Sequence, residues 1–179
     1  MERNSRDFQA RIARENHNAQ MLCDLLRQRR AAGPDPVGMT PAPPSTSPSA
    51  SRFVVKDVYY PKFMTPEHYE ASMRPANPAL SDSTGYGGLF SLTFTSVLAS
   101  RTFFDALPCY KGPSLGTNFT LACPYTILAH YTEMEWALGW GVESGLVRVS
   151  TGLEDPELLQ EWFLTALEAA EKAVEESEQ

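Results

Sequence analysis

Two strand-forming segments follow one another early in the chain, with no helix pattern between them long enough to carry the second back parallel to the first. Phe53-Val54-Val55-Lys56-Asp57-Val58-Tyr59-Tyr60 is dense in branched and aromatic residues and closes at Pro61. Leu89-Phe90-Ser91-Leu92-Thr93-Phe94 alternates, with Phe90, Leu92 and Phe94 on one side and Leu89, Ser91 and Thr93 on the other. The stretch between them carries Pro61, Pro66, Pro75 and Pro78 and offers only a short helix from Thr65 or Pro66 to Tyr69. Parallel neighbours need a long crossover, usually a helix. The expected fold class is therefore α+β, a small mixed or antiparallel sheet with helices on one face.

The remaining elements follow from period and punctuation. Residues 5–30 read as one amphipathic helix whose stripe is Phe8, Ile12, Ala19, Leu22 and Leu26, stopped by Gly33-Pro34-Asp35-Pro36. Residues 33–51 are low in complexity and rich in Pro and Ser; they read as an inserted surface loop, or as a proline-rich ligand for a recognition domain. Further on come a helix over 96–107, a strand over 119–122, a helix over 132–140 and a strand over 146–150. Gly85-Tyr86-Gly87-Gly88 lacks the Lys-Ser/Thr ending of a phosphate loop. The last helix has a clear start: Asp155 can cap, Pro156 suits the first turn, and Glu157 favours the positive helix end. Its apolar face runs from Leu158 to Ala170, and the acidic end is expected to fray beyond Ala173. This divides the chain into a helix over 1–32, a loop over 33–51, a domain over 52–174 and an acidic tail over 175–179.

The formal charge of −7 argues against non-specific nucleic-acid binding. Arginines concentrate in the first thirty residues and glutamates at the end, which reads as solvated helix faces. Cys23, Cys109 and Cys123 are odd in number and lack metal-ligand spacing, and His17, His68 and His130 add no zinc pattern. The expectation is a reduced, cytoplasmic protein with no metal. No apolar run is long enough to span a bilayer, and the Arg-rich start has no apolar signal core.

Two segments can carry chemistry. In Leu146-Val147-Arg148-Val149-Ser150, Arg148 points away from the two valines. It reads either as a solvent-facing strand residue or as a clamp whose paired N–H groups match a carboxylate. In Ser114-Leu115-Gly116-Thr117-Asn118, Ser114 offers a hydroxyl and an amide, Gly116 permits a close approach, and Thr117 and Asn118 add polar neighbours. An ordinary strand-entry turn is the competing reading.

Ser114-Leu115-Gly116, with Val147-Arg148-Val149-Ser150-Thr151-Gly152-Leu153-Glu154 downstream, resembles the paired signature of the Cys/Met-metabolism family of pyridoxal-phosphate enzymes. Lys111-Gly112-Pro113 before it, Cys123-Pro124-Tyr125 and Ala129-His130-Tyr131 resemble its fungal-type cystathionine gamma-synthase branch. The resemblance implies the C-terminal domain of a fold-type-I enzyme, preceded by a long helix; such enzymes are usually homotetramers, with the cofactor held in a larger upstream domain. It implies that Arg148 binds the α-carboxylate of an amino-acid substrate, that Ser114 assists, and that Thr117 and Asn118 are pocket neighbours. The implied reaction is replacement of the O-acyl group of an activated homoserine by cysteine, giving cystathionine in methionine biosynthesis. A lyase or an O-acylhomoserine sulfhydrylase of the same family is an alternative. The only lysines are Lys56, Lys62, Lys111 and Lys172, and none sits where the family attaches its cofactor. The chain is therefore expected to lack covalent pyridoxal phosphate and to be inactive alone. A rival from another class is a non-catalytic protein that docks on a full-length homologue.

Overall fold

A computed structural model describes residues 5–31, 33, 53–73 and 84–179. Apart from Gly33, the expected loop over 33–51 lies outside the described residues. The elements are α1 (Phe8–Gln28), β1 (Val55–Tyr59), α2 (Pro61–Met64), α3 (Pro66–Ser72), β2 (Leu89–Phe94), α4 (Val97–Ala106), β3 (Tyr110–Lys111), β4 (Leu121–Pro124), α5 (Tyr125–His130), a 3-10 turn (Tyr131–Glu133), α6 (Met134–Gly139), β5 (Val147–Ser150) and α7 (Pro156–Ser177).

The five strands form one sheet in the order β1-β2-β5-β4-β3. β1 and β2 are antiparallel, in line with the expectation of a mixed or antiparallel sheet. β5 runs antiparallel to both β2 and β4, and β3 adds a parallel edge to β4. The sheet is mixed and the fold is α+β, as expected.

Register divides the residues of the sheet between its two faces. Leu92 pairs with Val147, and Phe90 and Ala122 pair with Val149, so these side chains share a face. That face meets α4 and α7. Phe90 and Phe103 both contact Phe163, with ring centroids 6.2 and 5.8 Å away. Leu159, Ala166, Leu167 and Ala170 of α7 are buried in the same core. α1 lies beside α7 and adds Ala19, Leu22, Cys23 and Leu26.

Several expectations shift. The stripe of α1 is buried only in its second half: Ala19, Leu22 and Leu26 are inaccessible, whereas Phe8 and Ile12 are 49% and 43% exposed. The strand expected over 119–122 begins two residues later, at Leu121, because the Thr120 amide donates to the Glu154 carboxylate instead of to a strand neighbour. The helix expected over 132–140 is shorter and is preceded by α5, starting directly after Pro124. The Asp155 side chain caps α7 by accepting from the Glu157 amide, as the sequence indicates. α7 continues through Ser177, past the point where fraying was expected. All three cysteines are free and buried. Among the described residues no helix is long and apolar enough to cross a membrane.

Candidate functional site

The sheet face opposite α4 and α7 carries the polar residues of β5, Arg148 and Ser150. Ser91, Arg148 and Cys123 form one cross-strand row, and Leu89, Ser150 and Leu121 the next. Strand alternation sets this, since Val147 and Val149 are taken by the core. Arg148 thus stands on the middle strand of five, half-buried between neighbours.

Its guanidinium is held from two sides. Nη2 donates to the Pro113 carbonyl at 2.5 Å. The guanidinium carbon lies 5.2 Å from the centre of the Tyr125 ring, a cation–π distance. Cys123 sits directly across from it; burial pushes the Cys123 thiol up, and the Arg148 charge pulls the other way. A guanidinium carries more N–H donors than the Pro113 carbonyl takes, and their planar fork suits an anion with two parallel oxygens.

Pro113 immediately precedes Ser114, so this bond brings the two expected site segments together. Ser114 itself is exposed. The loop then turns at Gly116, whose φ of +70° favours glycine. The Gly116 amide donates to the Ser150 hydroxyl at 3.0 Å, two residues beyond Arg148. The Thr117 hydroxyl donates to the Phe119 carbonyl two residues on, at 2.6 Å. The Asn118 side chain accepts from Arg11 of α1 at 3.2 Å. Arg148 and the Ser114 segment therefore lie side by side, while Thr117 and Asn118 spend side-chain oxygens on the protein itself.

Sequence reasoning missed the groups that fasten this arrangement. Glu154 accepts from the Thr120 amide at 2.6 Å and from the Thr120 hydroxyl at 2.8 Å. The Thr120 oxygen accepts in turn from the Gly152 amide at 3.0 Å. Asn18, fully buried on α1, donates to the carbonyls of Gly152 and Glu154 at 3.0 and 2.9 Å. Asn18 interrupts the polar side of an amphipathic pattern without breaking it, so periodicity gives no signal. Tyr125 leads an aromatic series, Tyr125–His130–Trp136–Trp140, with successive centroids 5.8, 6.3 and 6.2 Å apart.

No family model matches the chain. It is 51% identical to a cystathionine gamma-synthase-like enzyme of Amanita muscaria, over 97% of this chain and 26% of that protein. It is 40% identical to the cystathionine gamma-synthase of Neurospora crassa, over 96% of this chain and 23% of that one. The chain is a homologue of the C-terminal part of cystathionine gamma-synthases. It spans about a quarter of the length of these curated relatives. The fold agrees: a solved cystathionine gamma-synthase of Xanthomonas oryzae pv. oryzae, in complex with cystathionine, superposes with a TM-score of 0.67 at 24% identity, over 96% of this chain and 37% of that one.

Cystathionine gamma-synthases depend on pyridoxal phosphate. The lysines of this homologue do not fit its attachment. Lys56 is bound to Glu143 at 2.6 Å, and Lys62 to both carboxylate oxygens of Asp24 at 2.8 Å. Lys111 donates to the Phe104 and Leu107 carbonyls at the end of α4, and Lys172 faces Glu176 along α7. Each ammonium has a partner within the chain, although Lys172 and Glu176 meet only at 3.7 Å on the surface.

Proposed function

We propose that this chain supplies the substrate-carboxylate site of a cystathionine gamma-synthase-like enzyme, with the guanidinium of Arg148 binding the α-carboxylate and Ser114 assisting. The observation that carries the reading is the bond from Arg148 to Pro113, which sets the guanidinium beside the Ser114 segment. The Tyr125 ring and the Pro113 bond restrain the guanidinium, so less rotamer freedom is lost when a carboxylate arrives. Holding the carboxylate orients the bonds at the substrate's α-carbon, a positioning role rather than a chemical one.

The relatives favour this division of labour. The chain is also similar to an alanine racemase of Aspergillus violaceofuscus, at 35% identity over 95% of its length, and to an L-2-amino-4-chloropent-4-enoate dechlorinase/desaturase of Streptantibioticus cattleyicolor, at 37% over 51%. Both act on an amino acid, as a gamma-synthase does, and every amino acid offers an α-carboxylate that can be held. The reaction assigned is cysteine for acyl-group exchange on an O-acylhomoserine. Pyridoxal phosphate supplies electron withdrawal when bound in the full-length relatives; with its lysines engaged by neighbouring groups, this chain alone is proposed not to attach it and to be inactive.

The test is binding. L-Cystathionine titrated into the 15N-labelled full chain should shift the Arg148 side-chain and Gly116 amide signals. Arg148→Lys should bind about tenfold more weakly, because an ammonium cannot copy the paired N–H geometry. Unchanged affinity in that variant, or equal affinity for the α-carboxamide of the ligand, sinks the reading.

A second reading, docking on a full-length homologue, is supported by the exposure of Tyr131, Trp136 and Trp140 beyond Tyr125. Co-purification and light scattering separate it: a monomer that ignores the homologue counts against docking.

A further inference from the structure

We infer that Glu154 is a positioning residue for the carboxylate site, acting through Thr120 to hold the Ser114 loop in register against the strand that carries Arg148. This rests on the carboxylate reading of that site.

The loop over 113–120 and the segment over 148–154 are laced at successive points. Arg148 reaches the Pro113 carbonyl, Gly116 reaches Ser150, and the Leu153 amide donates to the Asn118 carbonyl at 2.9 Å. The series ends at Glu154, whose two oxygens take both the amide and the hydroxyl of Thr120. It is the only one of these bonds made to a side-chain carboxylate, and such bonds are shorter and stronger than neutral ones. The Thr120 hydroxyl is donor to Glu154 and acceptor from Gly152 at once, so it joins both sides of the seam. Directly after it, Leu121 enters β4 opposite Ser150. Glu154 therefore sets where the loop ends, and the length left between Thr120 and Arg148's partner Pro113 sets where Ser114 can stand. Glu154 touches neither Arg148 nor Ser114; its effect passes through the backbone.

Two variants isolate the device. Glu154→Gln keeps the shape but turns one acceptor into a donor facing the Thr120 hydroxyl. Thr120→Val keeps shape and removes the hydroxyl, whereas Thr120→Ser preserves it. Amide hydrogen exchange at Gly116 and Thr120 is read on the full chain without ligand, and L-cystathionine affinity is read by titration. Glu154→Gln and Thr120→Val should each speed exchange at Gly116 about tenfold and weaken affinity by about threefold or more, with Thr120→Ser close to the parent protein. Slow exchange at Gly116 and parent-like affinity in a folded Glu154→Gln overturn the inference. So does equal damage from Thr120→Ser and Thr120→Val, which would assign the effect to packing. Should Glu154→Gln fail to fold, the two threonine variants decide. Arg148→Lys keeps the two ideas apart: it should weaken binding by more than Glu154→Gln does while speeding Gly116 exchange less, since it loosens only the Pro113 end of the loop. If Arg148→Lys binds normally, the carboxylate reading falls while exchange at Gly116 still judges the positioning role.

Discussion

Gly152 shows how little room the site has. It follows Thr151, whose amide donates to the Gly88 carbonyl at 2.8 Å, and its own amide goes to Thr120. A Cβ at this position would stand within 2.5 Å of the Phe119 Cα, against backbone rather than a flexible side-chain end. Gly152→Ala must therefore push two backbones apart. The expected loss is about 1–3 kcal/mol of stability, measured by urea denaturation. An alanine variant as stable as the parent would mean that the seam between the two loops is soft. Arg148 differs from Gly152 in kind: its neighbours Pro113 and Tyr125 constrain orientation, and its replacement is expected to change binding more than stability.

At the scale of elements, the joint between α1 and β1 is ionic. Just past the end of α1, Arg30 donates to the Lys56 carbonyl at 2.6 Å and pairs with Asp57 at 3.0 Å, both side chains nearly buried. Burial pushes the Asp57 carboxyl above its ordinary range, and the Arg30 charge offsets only part of that. A group whose folded pKa exceeds its unfolded value adds stability that is full below the unfolded value and is lost as pH rises through the folded one. The stability of the parent protein minus that of Asp57→Asn is accordingly expected to fall as pH rises from about 4 through the raised value. Urea unfolding of both proteins at stepped pH reads this directly, and a difference that grows over that window contradicts it.

The same scale shows what was readable in advance. β2, β5 and the start of α7 follow from local rules, alternation and capping, and the structure keeps them. The start of β4 lies beyond local rules, because the bond that delays it joins Thr120 to Glu154, far along the chain and invisible to a local window. β3 has two exposed residues and no pattern to detect. α5 begins at Tyr125-Thr126-Ile127, poor helix formers following a proline, and so gave no helical period. The pairing of Arg148 with the Ser114 segment came from motif resemblance; Asn18, Thr120 and Glu154, which fasten it, are polar residues whose roles exist only once the chain is folded.

For the whole molecule, stability centres on the layer between α4, α7 and the sheet. Phe163 lies where these meet, fully buried against Phe90 and Phe103. Phe163→Ala should cost about 3–5 kcal/mol, seen as a lower urea midpoint with an unchanged slope. A loss below about 1 kcal/mol would mean that the helices close over the gap. Arg148 lies on the sheet's far side from this layer, so the core can be weakened without touching the guanidinium's partners.

The central place of β5 has one more effect. A slip of one residue against β2 and β4 would turn Arg148 toward the phenylalanines and throw Val147 and Val149 into water. Misaligned copies would thus carry a stranded cation in hydrocarbon. The alternation that fills the core also proofreads, during folding, the side on which the positive charge emerges.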